Sequence, residues 1–353
     1  MTQAVKSIED QNTFSPFTLQ TYYHPLPFVL ESGQSLPELR ITYHTSGKLN
    51  AKADNVVWVA HALTANSDPG EWWPGLVGDK DLINPDEHFI ICANVLGSCY
   101  GTTGPRDFNP ENGERYLTSF PDFTIRDIVR AHELLRRHLG IERIYLGLGG
   151  SMGGQQLLEW AVESPELFEN LCLLATGARS TPWGIAFRAA QRMAMEADPS
   201  FFSNSPNGGK KGAEAARAMA MISYRTREAF NSSQQDDNEA TDHFRADSYQ
   251  RYQGLKLSKR FDARTYYLLS KVMDTHNVGR GRGSVEQALA RIEARTLVLG
   301  IEGDLLFAND EQAHLATYIP GAQLEIIPSH YGHDGFLIEA PAISQSLNHF
   351  LKQ

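Results

Sequence analysis

Three side chains in this sequence have the types and the order needed to move an acyl group: Ser151, Asp304 and His333. A serine hydroxyl is a weak nucleophile at neutral pH, so it needs a base beside it, and the base needs a carboxylate to orient it. Ser151 sits in Gly149-Gly150-Ser151-Met152-Gly153, a G-x-S-x-G motif. The motif follows the apolar run Ile144 to Leu148 and precedes a helix-like segment with Leu157, Leu158, Trp160 and Ala161. That strand–turn–helix setting marks a nucleophile elbow, whose turn strains the serine backbone and demands small neighbours. Stripped of such flanks, a G-x-S-x-G match is commonly just a Gly/Ser-rich turn.

The other two candidates follow in the order acid, then histidine. Gly303-Asp304 comes just after the apolar run at 296–300, and His330 and His333 just after the run at 324–327. Both groups fall at carboxyl ends of predicted strands, where parallel sheets build their sites. A lone loop aspartate is usually a turn former, and a lone loop histidine is usually solvated. Three candidates in order at three strand ends carry the reading. A tetrahedral intermediate also needs N–H donors for its oxyanion. Met152, directly after the nucleophile, supplies one; the second is expected from the loop His61-Ala62-Leu63-Thr64, with Leu63 preferred and His61 read as structural.

The elements that must position these residues are legible as short continuous apolar runs. Val56 to Ala60, Phe89 to Ala93, Ile144 to Leu148, Leu171 to Ala175, Thr296 to Leu299 and Leu324 to Ile327 suit parallel strands covered on both faces. Thr124 to Leu139 reads as an amphipathic helix, with Thr124 as N-cap, Asp127 three residues on and Gly140 as the stop. Residues 17–45 alternate instead, which predicts two or three opening antiparallel strands. Between the runs at 171–175 and 296–299 lie about 120 residues, far more than a βαβ crossover needs. That stretch is rich in helix formers, as in Gly212 to Met221, and holds no comparable apolar run. The expectation is an α/β core of residues 1–179 and 291–353, with 180–290 as a helical insertion that forms a lid. Asn231 to Thr241 reads as an exposed loop within it.

Bulk properties narrow the function. A formal net charge of −10 argues against a nucleic-acid partner. The opening residues MTQAVKSIEDQNTF are polar, and no apolar stretch approaches the roughly 20 residues that span a bilayer, so no membrane partner is expected. Of three cysteines, Cys92 and Cys172 lie in apolar runs and read as buried free thiols of a reducing, cytoplasmic protein.

Several segments together resemble the homoserine O-acetyltransferases of the α/β-hydrolase fold. They are Ala60-His61-Ala62-Leu63-Thr64, Asn94-Val95-Leu96-Gly97 with Gly101-Thr102-Thr103-Gly104-Pro105, and Gly149 to Gly154. Arg260-Phe261-Asp262, Met273-Asp274-Thr275-His276 and Gly332-His333-Asp334-Gly335-Phe336-Leu337 join them. The likeness runs from about residue 15 to the C-terminus, insertion included. It implies a mostly parallel sheet with antiparallel N-terminal strands and a helical lid. It also implies transfer of an acetyl group from acetyl-CoA to L-homoserine, a step toward methionine, through an acyl-serine intermediate.

Carried over residue by residue, the nucleophile is Ser151, the acid Asp304 and the base His333, chosen over His330 because it precedes Asp-Gly-Phe. Arg217 matches the family's carboxylate-binding arginine, and its fork suits bidentate pairing. Tyr224, two helical turns along, could reinforce it, and Asp334 would hold the ammonium. Leu306 borders the expected acyl pocket, where succinyl-CoA users look as though they carry arginine. No metal and no bound cofactor is implied; acetyl-CoA is a co-substrate, and a homodimer is the assembly left open. The loop holding Arg280 and Arg282 is read either as an approach for CoA phosphates or as solvated. Ser203 to Gly209 looks shorter than the family's linker, and Leu305 stands where a tryptophan is common. The alternatives are a serine acetyltransferase, a succinyl-CoA-using homologue, and an esterase or thioesterase with the same triad.

Overall fold

Residues such as Val56, Trp58 and Ala60 pack on one side of their strand, while Val57 and Val59 pack on the other. Alternate side chains of a strand point to opposite faces, so a run apolar at every position must be covered twice. The computed structural model describes residues 16–237, 239 and 241–353. The polar segment at 1–14 lies outside them. Its strands are β1 (Thr18–His24), β2 (Phe28–Val29), β3 (Ser35–Leu36), β4 (Leu39–Ser46) and β5 (Val56–Ala60). Then come β6 (Phe89–Ala93), β7 (Ile144–Gly150), β8 (Phe168–Leu174), β9 (Arg295–Ile301) and β10 (Gln323–Ile327). Eight of them form one sheet in the order β1-β4-β6-β5-β7-β8-β9-β10. β1, β4 and β6 pair antiparallel, and every pairing from β6 through β10 is parallel.

The opening region departs from the two or three strands expected. It has four, and β2 and β3 form a separate two-stranded ribbon. The turn residues around Ser32-Gly33 close that ribbon locally, leaving β1 free to reach across to β4.

The helices are α1 (Pro69–Trp72), α2 (Ile125–His138) and α3 (Met152–Glu163), then α4 (Pro182–Glu196), α5 (Lys210–Tyr224) and α6 (Arg227–Gln234). After these come α7 (Arg245–Ser258), α8 (Ala263–Asp274), α9 (Val285–Leu289), α10 (Asn309–Tyr318), α11 (Gly335–Ile338) and α12 (Ala340–Leu351). α2 begins where its capping box places it: the Thr124 side chain accepts from Asp127 N, and Thr124 N donates back to Asp127 Oδ2. Such a cap contributes about 1 kcal/mol. α2 and α3 cover the face of Trp58, whereas α12 covers the face of Val57.

Between β8 and β9 the chain makes six helices, α4 to α9, and no named strand among the described residues. The exposed loop read at Asn231 to Thr241 is shorter than expected. α6 starts at the Thr226 cap, whose side chain accepts from Ala229 N, and runs on to Gln234, taking the first four residues of that stretch. No helix among the described residues is long and apolar enough to cross a membrane.

Candidate active site

β7 ends at Gly150, α3 starts at Met152, and Ser151 makes the turn between them at φ +54°, ψ −122°. A non-glycine residue there is strained by roughly 1–3 kcal/mol. Surrounding bonds impose the conformation: Ser151 N donates to Leu174 O at 2.9 Å, and Thr176 Oγ1 donates to Ser151 O at 2.8 Å. The glycines are obligatory for space. A Cβ on Gly153 would collide with the Ala60 carbonyl, and one on Gly150 with the Phe336 ring.

The two loops after β9 and β10 bring the other candidates to this turn. His333 Nε2 lies 3.0 Å from Ser151 Oγ, and its Nδ1 lies 2.7 Å from Asp304 Oδ2. Asp304 Oδ1 accepts from Leu306 N at 2.7 Å and Phe307 N at 3.0 Å, which fixes the carboxylate. All three side chains are buried. Burial alone would depress His333; the Asp304 carboxylate, by charge and hydrogen bond, outweighs it and Asp334 adds, so its pKa stands above the ordinary 6.5. His330 is not part of this line. It is exposed, and its carbonyl accepts from Thr226 Oγ1.

Met152 is the first residue of α3, so its N–H is an orphan donor at the positive end of a helix. Leu63 lies buried in the turn after β5. His61, read as structural, is clamped below that turn: its Nε2 faces Val95 N at 3.1 Å and its Nδ1 faces Ala62 O at 2.8 Å. A backbone N–H must donate, so Nε2 accepts and Nδ1 carries the proton. Burial keeps this imidazole neutral by pushing its pKa down to about 4.

The α/β-hydrolase-fold family model matches residues 55–340. A homoserine O-acetyltransferase of Cyclobacterium marinum is 46% identical over 333 residues, covering 94% of this chain and 95% of the relative. One from Chlorobaculum parvum is 44% identical and covers 93% of each. The chain belongs to the homoserine O-acetyltransferase family. Among solved structures, a homoserine O-acetyltransferase from Bacillus anthracis superposes with a TM-score of 0.88 at 23% identity, over 96% of this chain and 98% of that one. Esterase E22 superposes at 0.86 with 22% identity, over 95% and 100%. At such identities the likeness is one of fold.

In this family member the end of α5 is docked on the loops of the candidate triad. Arg217 Cζ lies 5.1 Å from the centre of the Tyr224 ring, and that ring lies 5.8 Å from the His333 ring. Asp334 follows His333 in the same turn. Burial raises the Asp334 carboxyl above its ordinary range, although Arg217, Arg225 and His333 all oppose this. Leu306 is partly buried and packs against the core, with its N–H on Asp304. Leu305 is exposed, and its carbonyl accepts from Trp183 Nε1 of α4 at 2.6 Å.

The arginine loop corrects the reading of it as merely solvated. Arg282 pairs with buried Glu159 at 2.7 Å, and Arg280 with Glu31 at 2.7 Å. Arg126 bridges the same two glutamates. The loop is more than solvated: its arginines fasten the end of the insertion to α2, α3 and the segment after β2. Glu159 was hidden because one carboxylate inside an apolar helix face gives no sequence clue to two distant arginines. Arg225, one residue past Tyr224, was also missed.

Proposed function

We propose that this enzyme moves an acetyl group from acetyl-CoA to the side-chain hydroxyl of L-homoserine through an acetyl-Ser151 intermediate, with residues 180–290 as its lid. One observation carries the reading: the hydrogen-bonded line Ser151–His333–Asp304 has Arg217 and Asp334 beside it. A general esterase for apolar esters has no need of a partly buried arginine and aspartate at that place, whereas a zwitterionic acceptor needs both.

In the first half-reaction His333 Nε2 takes the Ser151 Oγ proton as Oγ bonds to the thioester carbon. The oxyanion turns toward the N–H groups of Leu63 and Met152. The C–S bond then breaks, His333 returns the proton to the sulfur, and CoA leaves. In the second half, Arg217 holds the homoserine carboxylate and Asp334 its ammonium. His333 takes the proton of the homoserine hydroxyl, whose oxygen attacks the acetyl carbon. Ser151 Oγ leaves and recovers the proton. Asp304 orients the imidazole and balances its charge in both halves.

An anionic donor suits the surface. A groove of about 120 Å³ is lined by Arg106, Lys210, Lys259 and Arg260 against Asp262 as its one carboxylate. On a chain of net charge −10, such a local field is what would draw phosphates. Arg260 Nη1 also donates to Thr64 O at 2.6 Å, tying the groove to the candidate oxyanion turn.

Initial-rate kinetics test the proposal, with acetyl-CoA or succinyl-CoA offered against homoserine or serine. The expected result is fastest turnover with acetyl-CoA and homoserine, parallel double-reciprocal lines, and an acetyl label on Ser151. Intersecting lines, or label retained by Ser151→Ala, exclude the acyl-serine route.

A further inference from the structure

The candidate acceptor site holds a second arginine that the scheme above leaves unused. We propose that Arg225 is a positioning residue for the acceptor: it holds Asp334 charged and aimed at the substrate ammonium, and so favours acceptors that carry an α-amino group. This rests on the reading of Asp334 as the ammonium partner.

Arg225 directly follows α5, in extended backbone at φ −123°, ψ 152°. Its segment is wedged between the two loops of the candidate triad. A Cβ on Gly303, just before Asp304, would meet Thr226 Cγ2 at 2.8 Å. A Cβ on Gly332, just before His333, would sit 3.2 Å from Thr226 N and 3.3 Å from Arg225 C. Thr226 Oγ1 also donates to His330 O at 2.6 Å. The placement of Arg225 is therefore set by the same loops that carry Asp304 and His333.

The Arg225 Nε faces Asp334 Oδ2 at 3.4 Å, with the two side chains 24% and 19% exposed. That contact is an ion pair without hydrogen-bond geometry, and the Nε is buried with no other acceptor among the described residues. The guanidinium sits 6.0 Å from the Tyr249 ring and 5.9 Å from the Tyr331 ring, so aromatic walls confine it. Charges facing Asp334 come from Arg217 in α5, Arg225 after it and His333 in the same turn, with the Tyr224 and Tyr249 phenols alongside.

The charge balance separates the roles of the two arginines. Once a substrate carboxylate engages Arg217, that guanidinium no longer serves Asp334 alone. Asp334 then depends on Arg225 to remain ionised in a partly buried place. Burial already raises its pKa with both arginines present. Removing Arg225 lets Asp334 protonate closer to neutrality, and a neutral carboxyl is a poor partner for an ammonium.

The test compares Arg225→Gln, Arg225→Lys and Asp334→Asn in the full chain. Homoserine KM is followed against pH, together with turnover of 4-hydroxybutyrate, which lacks the amine. Arg225→Gln should raise homoserine KM by about tenfold near neutrality, the scale of weakening one charge-assisted contact to the ammonium. The defect should shrink as pH rises and Asp334 ionises again. The preference for homoserine over 4-hydroxybutyrate should fall by a similar factor, and Arg225→Lys should restore most of it. The burst of CoA from acetyl-CoA alone reports whether the folded site survives. An unchanged KM, or a KM raised equally at every pH with the burst intact, overturns the assignment. If Asp334→Asn raises KM while Arg225→Gln does not, only the role of Arg225 falls. If Asp334→Asn also leaves KM unchanged, the ammonium reading of Asp334 falls with it.

Discussion

The candidate catalytic line and the candidate acceptor site lie side by side but are held in different ways. The first is built on strand ends: Ser151 bonds to β8, Asp304 is fixed by two backbone N–H groups, and the His333 contacts are 2.7 and 3.0 Å. The second is built on the end of α5, with Arg225 3.4 Å from Asp334 and Arg217 5.1 Å from the Tyr224 ring. Short backbone-anchored bonds suit groups that must move a proton at the right moment. Longer contacts between charges and rings leave room for a ligand to enter and complete the pairing. On the proposed reading chemistry falls to the strand ends, and selectivity to the insertion together with Asp334 on the loop after β10; each prediction below attacks one side of that division.

The largest effect is expected on the sheet side. Ser151→Ala and His333→Ala should each lower turnover by about 10⁴-fold or more, because triad members act as a unit. His330→Ala should lose little, since its imidazole is exposed. The pH dependence has a definite sign. His333 must be neutral to take a proton, and its pKa lies above 6.5. Acylation should therefore rise with pH with a midpoint above that value, and Asp304→Asn should move the midpoint down. Single-turnover acylation across pH reads both; equal losses at His330 and His333 would mean the base is misassigned.

The sequence exposed the sheet side far better than the insertion. Continuous apolar runs located β5 to β9 because burial on both faces leaves every position apolar. The run at 324–327 also marked a strand, but β10 is the sheet edge and largely exposed, not covered on both faces as expected. The elbow was visible because its glycines answer a steric demand within a few residues of Ser151. His333 was separated from His330 by family resemblance rather than by physics, since both follow the same strand. The Arg280–Glu31 and Arg282–Glu159 pairs and the docking of Arg225 join residues far apart in the chain. No local pattern encodes such partners. The ribbon of β2 and β3 was merged with its neighbours because strands of two residues leave too little alternation to count.

A smaller effect is expected on the insertion side. Arg217→Ala should impair use of homoserine and spare acetylation of Ser151, because only the second half-reaction meets the acceptor carboxylate. Breaking one partner of a desolvated ion pair typically costs about 3–5 kcal/mol. Arg217 is only partly buried, so the low end of that range or less applies, on the order of a hundredfold in kcat/KM for homoserine. Rapid-mixing measurement of CoA release without homoserine is the control. A lost burst would put Arg217 on the donor side, or in the fold itself, and erase the division.

The smallest effect concerns Leu306, which lies where the two sides meet. Its N–H bonds the candidate triad aspartate at 2.7 Å, while its side chain packs against the core. Backbone placement so close to Asp304 limits how far that side chain can stand from a bound acyl group. A succinyl group would bring a second carboxylate into a confined place, and an uncompensated charge there is expensive to desolvate. Leucine offers only apolar contact, which suits a methyl group. The natural enzyme should therefore acylate Ser151 faster from acetyl-CoA than from succinyl-CoA, by about tenfold or more in kcat/KM. Leu306→Arg should narrow or invert that ratio without altering homoserine KM, because Arg217 and Asp334 are untouched. Acylation rates for both thioesters on both proteins decide the matter. If the natural enzyme takes the two donors equally, Leu306 is core packing alone. Acyl selectivity would then have to come from the insertion, against the division drawn here.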